Sequence, residues 1–221
     1  MQTQALVLRS AASRENDRLV TALTEGCGII KAFANGARKP KSPMHAATQP
    51  FCYGRMEYTQ RPFQRGGDTY TITEARPEGV FFEGLAADIS RLALANYCAA
   101  LCVELAPRQE EAPAQLRLML NALHFLSTGT RPQHLIKSVV ELRLITLAGY
   151  MPGEGSGIRG QEAGDAVMAA VEHICAAPLE RAFRFALPED ALRALSRVSQ
   201  AYVQRQTGRN FPELGYWEGL E

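Results

Sequence analysis

Arg38, Lys39 and Lys41 put three cations into four positions of the stretch Gly36-Ala37-Arg38-Lys39-Pro40-Lys41-Ser42. The chemistry open to them is electrostatic capture of phosphate. Pro40 excludes a helix, Gly36 lets the backbone turn, and long cationic side chains on such a loop suit a polyanion better than a packed interior. A solvated loop without ligand can have the same composition, so these residues need their context. Arg14, Arg18, Lys31, Arg55, Arg61 and Arg65 lie in the same N-terminal part and complete the set of candidate nucleic-acid contacts. If about five of them neutralise phosphates of a single strand, log affinity falls against log salt with a slope on the order of −3.5.

Bond-making chemistry has weaker candidates. His45, His124, His134 and His173 lie far apart, outside any His-Glu-x-x-His pattern. Gly155-Ser156-Gly157-Ile158-Arg159-Gly160 matches a dinucleotide fingerprint and Glu180 follows at a suitable distance. The element before it reads as a long apolar helix, however, so there is no strand-turn-helix to hold a pyrophosphate. No Walker phosphate loop and no nucleophile elbow occur. Cys27, Cys52, Cys98, Cys102 and Cys175 are odd in number and irregular in spacing, which predicts reduced thiols. Cys98 and Cys102 share one helix face and read as core thiols rather than a metal pair. No catalytic residue, metal or cofactor is assigned, and the expected protein is not an enzyme; an enzyme reading would have to centre on His124 and His134.

The elements that must position the cations follow from periodicity. The 221 residues are 46% hydrophobic and 21% charged, an ordinary globular composition with net charge +1. Residues 1–80 hold 11 Lys and Arg against 7 Asp and Glu, whereas the remainder hold 13 against 16. A polyanion is therefore expected on the N-terminal part. Short β-rich runs at 4–9, 17–24, 29–34, 51–59 and 69–75 predict five strands, with a hairpin at Gly26-Cys27-Gly28 and a second cationic turn at Arg61–Gly67. The fold class is α+β: a five-stranded OB-fold barrel over 1–79, then an all-α helical domain over 80–221. Phe33, Phe51, Tyr53, Tyr58 and Phe63 are either barrel core or platforms for stacked bases. Helices are predicted near 89–105, 113–127, 132–148, 166–175 and 188–207, the third central, with 149–164 a Gly-rich loop. The tail 211–221 has aromatics but no clear period. No window approaches a membrane span, and the expected location is cytoplasmic, associated with the nucleoid.

Ala5-Leu6-Val7-Leu8-Arg9, Glu15–Thr21, Leu23-Thr24-Glu25, Ala32-Phe33-Ala34, Gly36–Ser42 and Gln49-Pro50-Phe51 together resemble the N-terminal barrel of the RecO family of bacterial recombination mediators. Val140–Leu144 and Leu147–Pro152 are similar to that family's central helix and following turn. The resemblance implies an OB fold with a helical domain, binding of single- and double-stranded DNA, and strand annealing without catalytic turnover. It further implies cooperation with RecR, contact with the acidic C-terminal tail of single-strand-binding protein, and loading of RecA. Arg14, Arg18, Arg38, Lys39 and Lys41 fall on or beside the family's basic positions. Lys137 and Arg143 are the cations near the helix that would receive the tail, and ordinary surface charges are the equal alternative. Many members carry four zinc-binding cysteines after the Gly-Tyr-x-Pro turn, whereas 153–163 contains none, so no zinc is expected. The competing functional reading is an RNA-binding OB-fold protein of translation.

Overall fold

The computed structural model describes residues 1–60, 69–150 and 164–221. Arg61, Phe63, Arg65 and nearly all of the Gly-rich stretch 149–164 lie outside the described residues.

Five strands close into a barrel: β1 (Gln2–Ala12), β2 (Arg18–Thr24), β3 (Gly28–Ala34), β4 (Cys52–Gln60) and β5 (Thr69–Val80), in the order β1-β2-β3-β5-β4. β3 and β5 pair in parallel and the other neighbours are antiparallel. A short helix, α1 (Met44–Ala47), connects β3 to β4. This is an OB-fold barrel. β5 runs to Val80, through Pro77-Glu78-Gly79, because the register slips at Tyr53/Gly54 and lets β4 keep pairing beyond the proline.

The run Ala5–Leu8 has no polar alternation because both faces of β1 are covered. Ala5 and Val7 point into the barrel, and Leu6 and Leu8 point out into a second core shared with the helices. Leu23, Ile29 and Phe51 join them there. Burying each such side chain contributes about 1.5–3 kcal/mol, so the outer face of the barrel and the helices share one core. Backbone bonds reinforce the contact: Ile29 donates to Pro107 (2.8 Å), Gln109 to Cys27 (3.0 Å) and Ala112 to Glu25 (2.8 Å). Gly28 sits at φ 63° where an added Cβ would lie 2.1 Å from the Pro107 carbonyl oxygen, so only glycine fits this crossing.

The helical part comprises α2 (Phe82–Ala86), α3 (Ile89–Leu105), α4 (Pro113–Thr128), α5 (Gln133–Leu147), α6 (Asp165–Ala176), α7 (Leu179–Ala182), α8 (Glu189–Thr207) and α9 (Pro212–Glu218). Asp88 caps α3 by accepting from Ser90 N at 2.9 Å, and Gly129 and Gly208 end α4 and α8 in left-handed conformations. α5 is central. It is buried without a break from Leu135 to Leu142 and packs on α3, α4, α6 and α8. The tail holds a helix that periodicity did not reveal: α9 is only 7 residues long and is anchored by buried Leu214 and Trp217, with Trp217 Nε1 donating to Gln133.

Candidate nucleic-acid interface

The basic loop is tied to the turn between β1 and β2. Gly36, at φ 68°, donates its N–H to Asp17 Oδ1 at 2.8 Å, and Arg38 N donates to the Asn16 carbonyl at 3.0 Å. The Arg38 guanidinium then donates to the carbonyls of Arg14 (3.1 Å) and Glu15 (3.0 Å). Two loops that are about twenty residues apart in sequence thereby become one surface. Lys39 and Lys41, exposed, share it with exposed Arg14. Among the described residues no carboxylate lies within ion-pair distance of these three side chains or of Lys31. Unpaired cations on one face are available to phosphate.

Arg18 has a different task. It donates to the His45 carbonyl (2.9 Å) and to Thr48 Oγ1 (3.0 Å), pinning α1 across the end of the barrel, where Ala47 enters the interior core. Burial, and secondarily the like charge of Arg38, lowers its pKa from the usual guanidinium value. Arg55 is exposed on β4 and stands 4.0 Å from Glu78, a loose surface pair that contributes little. Of the nine predicted contacts, the structure brings together Arg14, Arg38, Lys39 and Lys41, places Lys31 nearby on β3, and sets Arg55 on β4. Asp17 and Asn16, which hold the loop, escaped the sequence reading; an acid in the turn facing a glycine was the available signal.

The aromatic candidates separate in the same way. Tyr58 is inside the barrel, edge-on to Tyr70 at 5.2 Å. Phe51 is buried beneath the helices and Tyr53 packs against the same core. Phe33 is half-buried on β3, on the opposite face from Ala32 and Ala34.

One expectation in the helical part needs correction. Lys137 is no surface charge: it is fully buried, 2.9 Å from Glu141 Oε1, and donates to the Ser196 carbonyl at 3.0 Å. The i, i+4 spacing resembles a surface pair, but α8 covers it. Arg143 is half-buried and donates to the carbonyls of Ile174 (3.2 Å), Cys175 (2.9 Å) and Ala177 (3.2 Å), closing the C-terminal end of α6. Its other side lines an open groove of about 250 Å³ with Arg117, Leu118, Leu147 and Leu179.

Cys98 and Cys102 are buried in the helical core, where desolvation raises both thiol pKa values. Among the described residues no three His, Cys, Asp or Glu side chains could hold a metal. The histidines serve separate neighbours: His45 Nδ1 contacts the Ala37 carbonyl, His124 meets Phe125, His134 meets Trp217 and Glu221, and His173 Nε2 contacts the Arg181 carbonyl.

A closed barrel of OB order, carrying tethered basic loops and fused through one core to a helical domain, places the chain in the class of OB-fold proteins. Residues 1–81 match the family model "Recombination protein O N terminal" and residues 86–168 match "Recombination protein O C terminal". The chain belongs to the RecO family. It is 25% identical to the DNA repair protein RecO of Acetivibrio thermocellus across all of this chain and 97% of that protein. It is 36% identical to the DNA repair protein RecO of Heliobacterium modesticaldum over 151 residues, 68% of this chain and 52% of the relative. The Desulforudis audaxviator protein of the same name is 34% identical over 70% of this chain and 59% of its own length. The last two matches thus span little more than half of the relatives they come from.

Proposed function

We propose that this chain is a DNA-binding recombination mediator that acts without a chemical step. Its cationic end holds two strands at reduced mutual repulsion so that complementary sequences anneal. In this reading it takes both single- and double-stranded DNA and works with RecR to load RecA on DNA coated by single-strand-binding protein, whose acidic tail docks on the helical domain. The site of action is the nucleoid, and among the described residues no helix is long and apolar enough to cross a membrane.

The observation that carries the proposal is the tether: Arg38 and Asp17 hold Gly36–Ser42 against the β1–β2 turn and thereby gather Arg14, Lys39 and Lys41 on one surface. With Lys31 these make four phosphate partners, and a single-strand contact of about −0.7 per phosphate sets a salt slope near −3. The test is annealing and fluorescence-anisotropy binding by wild type and by Lys39→Glu/Lys41→Glu, which spares the cations that hold backbone carbonyls. The variant should anneal more slowly, bind more weakly and lose about 1.4 from the slope. Unchanged binding and annealing would remove the loop from the mechanism, and tighter binding of RNA than DNA by wild type would favour a role in translation.

A further inference from the structure

We infer that His45 is a positioning residue of the DNA-binding surface: its Nδ1–H holds the carbonyl of Ala37 and thereby fixes where Lys39 and Lys41 stand. The inference rests on the DNA-binding reading above and concerns the second side of the basic loop. Asp17 and Arg38 tie that loop to the β1–β2 turn. The opposite side is closed by α1, which turns back onto the loop that leads into it. His45 Nδ1 lies 3.2 Å from the Ala37 carbonyl oxygen. That oxygen carries no proton, so Nδ1 supplies it. Nε2 lies 3.4 Å from Gln49 Nε2, whose amide donates to the remaining lone pair. Both partners select the same neutral tautomer, and neither ring nitrogen is left over for a phosphate.

Ala37 is the point at which such a brace acts. Its side chain is fully buried in the interior core of the barrel, although it sits between Gly36 and Arg38 in the basic stretch. The loop is thus plugged into the barrel at Ala37 and held by the residues before and after it. From there short turns carry the chain on: Lys39 N–H donates to the Gly36 carbonyl at 3.1 Å and Ser42 N–H to the Lys39 carbonyl at 2.9 Å. Lys39 and Lys41 therefore take their positions from the segment that His45 anchors. The brace has its own support, since four residues do not hold a helix alone. Arg18 donates to the His45 carbonyl at 2.9 Å, and Ala47 enters the same interior core as Ala37. Arg18 thus reaches the loop through His45. A buried carbonyl left without a donor is costly, and the chain answers by moving the loop out to water. A loop in place for only part of the time offers its lysines to DNA for that fraction, and apparent affinity falls in proportion.

The test measures binding of labelled oligothymidylate by fluorescence anisotropy for wild type, His45→Leu, His45→Asn, His45→Gln and Lys39→Glu/Lys41→Glu, and for His45→Leu added to the lysine variant. Thermal unfolding of each is followed alongside. Asparagine carries its amide nitrogen on Cγ, where histidine carries Nδ1, so His45→Asn keeps the donor; in glutamine that nitrogen sits one bond farther out. His45→Leu and His45→Gln should bind about 5- to 30-fold more weakly than wild type and lose no more than the lysine variant does. His45→Asn should stay within about threefold of wild type, because the Ala37 carbonyl keeps its donor. Added to the lysine variant, His45→Leu should change affinity by less than about twofold, since the lysines through which His45 acts are gone. Wild-type binding by His45→Leu and His45→Gln beside a weakened lysine variant would overturn the positioning role and leave DNA binding by the loop intact. So would a His45→Asn protein as weak as His45→Gln, or a His45→Leu loss that persists undiminished beside the lysine changes. If His45→Leu does not fold, His45→Gln against His45→Asn decides the matter. If the lysine variant binds like wild type, the DNA-binding reading falls and this inference with it.

Discussion

Replacing Lys137 by methionine measures how far the helical domain depends on a charge pair at its centre. Neither Lys137 nor Glu141 has exposed side-chain surface, and their charged atoms are 2.9 Å apart. The ammonium uses its donors on both Glu141 oxygens and on the Ser196 carbonyl. The carboxylate also accepts from Tyr97 Oη at 2.6 Å and from Ser199 Oγ at 2.5 Å. Methionine keeps the aliphatic stem of lysine and removes the cation, leaving a buried carboxylate with two neutral donors. Removing one member of a buried pair costs about 3–5 kcal/mol, and the hydroxyl donors offset enough to place this variant near the lower figure. That is a large share of the roughly 5–15 kcal/mol of a folded domain. The assay is urea unfolding followed by far-ultraviolet circular dichroism, with the slope checked for constancy. Two controls bracket the result. Glu189→Gln breaks the Glu189–Arg193 pair, whose side chains are 76% and 57% exposed, and should change stability by less than about 0.5 kcal/mol. Tyr97→Phe/Lys137→Met/Glu141→Leu/Ser199→Ala removes both charges and both donors together and should lose less than Lys137→Met alone, because no uncompensated charge is left behind. A Lys137→Met protein within about 1 kcal/mol of wild type at unchanged slope would refute the reasoning.

Gly28→Ala should destabilise by about 2–3 kcal/mol, because a left-handed conformation is strained for alanine and the methyl group would displace the Pro107 carbonyl that Ile29 bonds; thermal unfolding checks this, and a wild-type midpoint would contradict it. Stability should also fall at alkaline pH. Burial pushes the Cys52 thiol up to about 11 and, ahead of the influence of Cys27, the Tyr58 phenol up to about 12. Both folded values lie above the usual thiol and phenol values of about 8.5 and 10, so the folded state binds protons more tightly. Their contribution is complete below those values and is lost as pH rises toward 12. Urea midpoints that do not decline between mildly and strongly alkaline buffers would contradict this, and Tyr58→Phe should flatten the decline.

The basic loop was legible because its chemistry is local: three cations, a proline and a glycine between two β-rich runs. The same holds for the five strands, whose turns are marked by Gly and Pro, and for the long helices, whose apolar stripes repeat every three or four residues. Tertiary structure decided which cations are free. Arg18 and Arg38 look equivalent to Lys39 and Lys41 in sequence, yet the first two hold backbone carbonyls of segments 23 to 27 residues away. Lys137 reads as half of a solvated helix pair until α8, some sixty residues on, covers it with Ser196 and Ser199. Phe33 differs from Tyr58 only in which side of the barrel wall its strand turns outward, and α9 forms because Leu214 and Trp217 find a prepared surface, not because seven residues would hold a helix alone. Sequence alone thus determined the elements and the sign of the charge at one end of the barrel. Whether a given side chain meets water, a carbonyl or a packed core is set by partners remote in the chain, and only the folded arrangement brings them within reach.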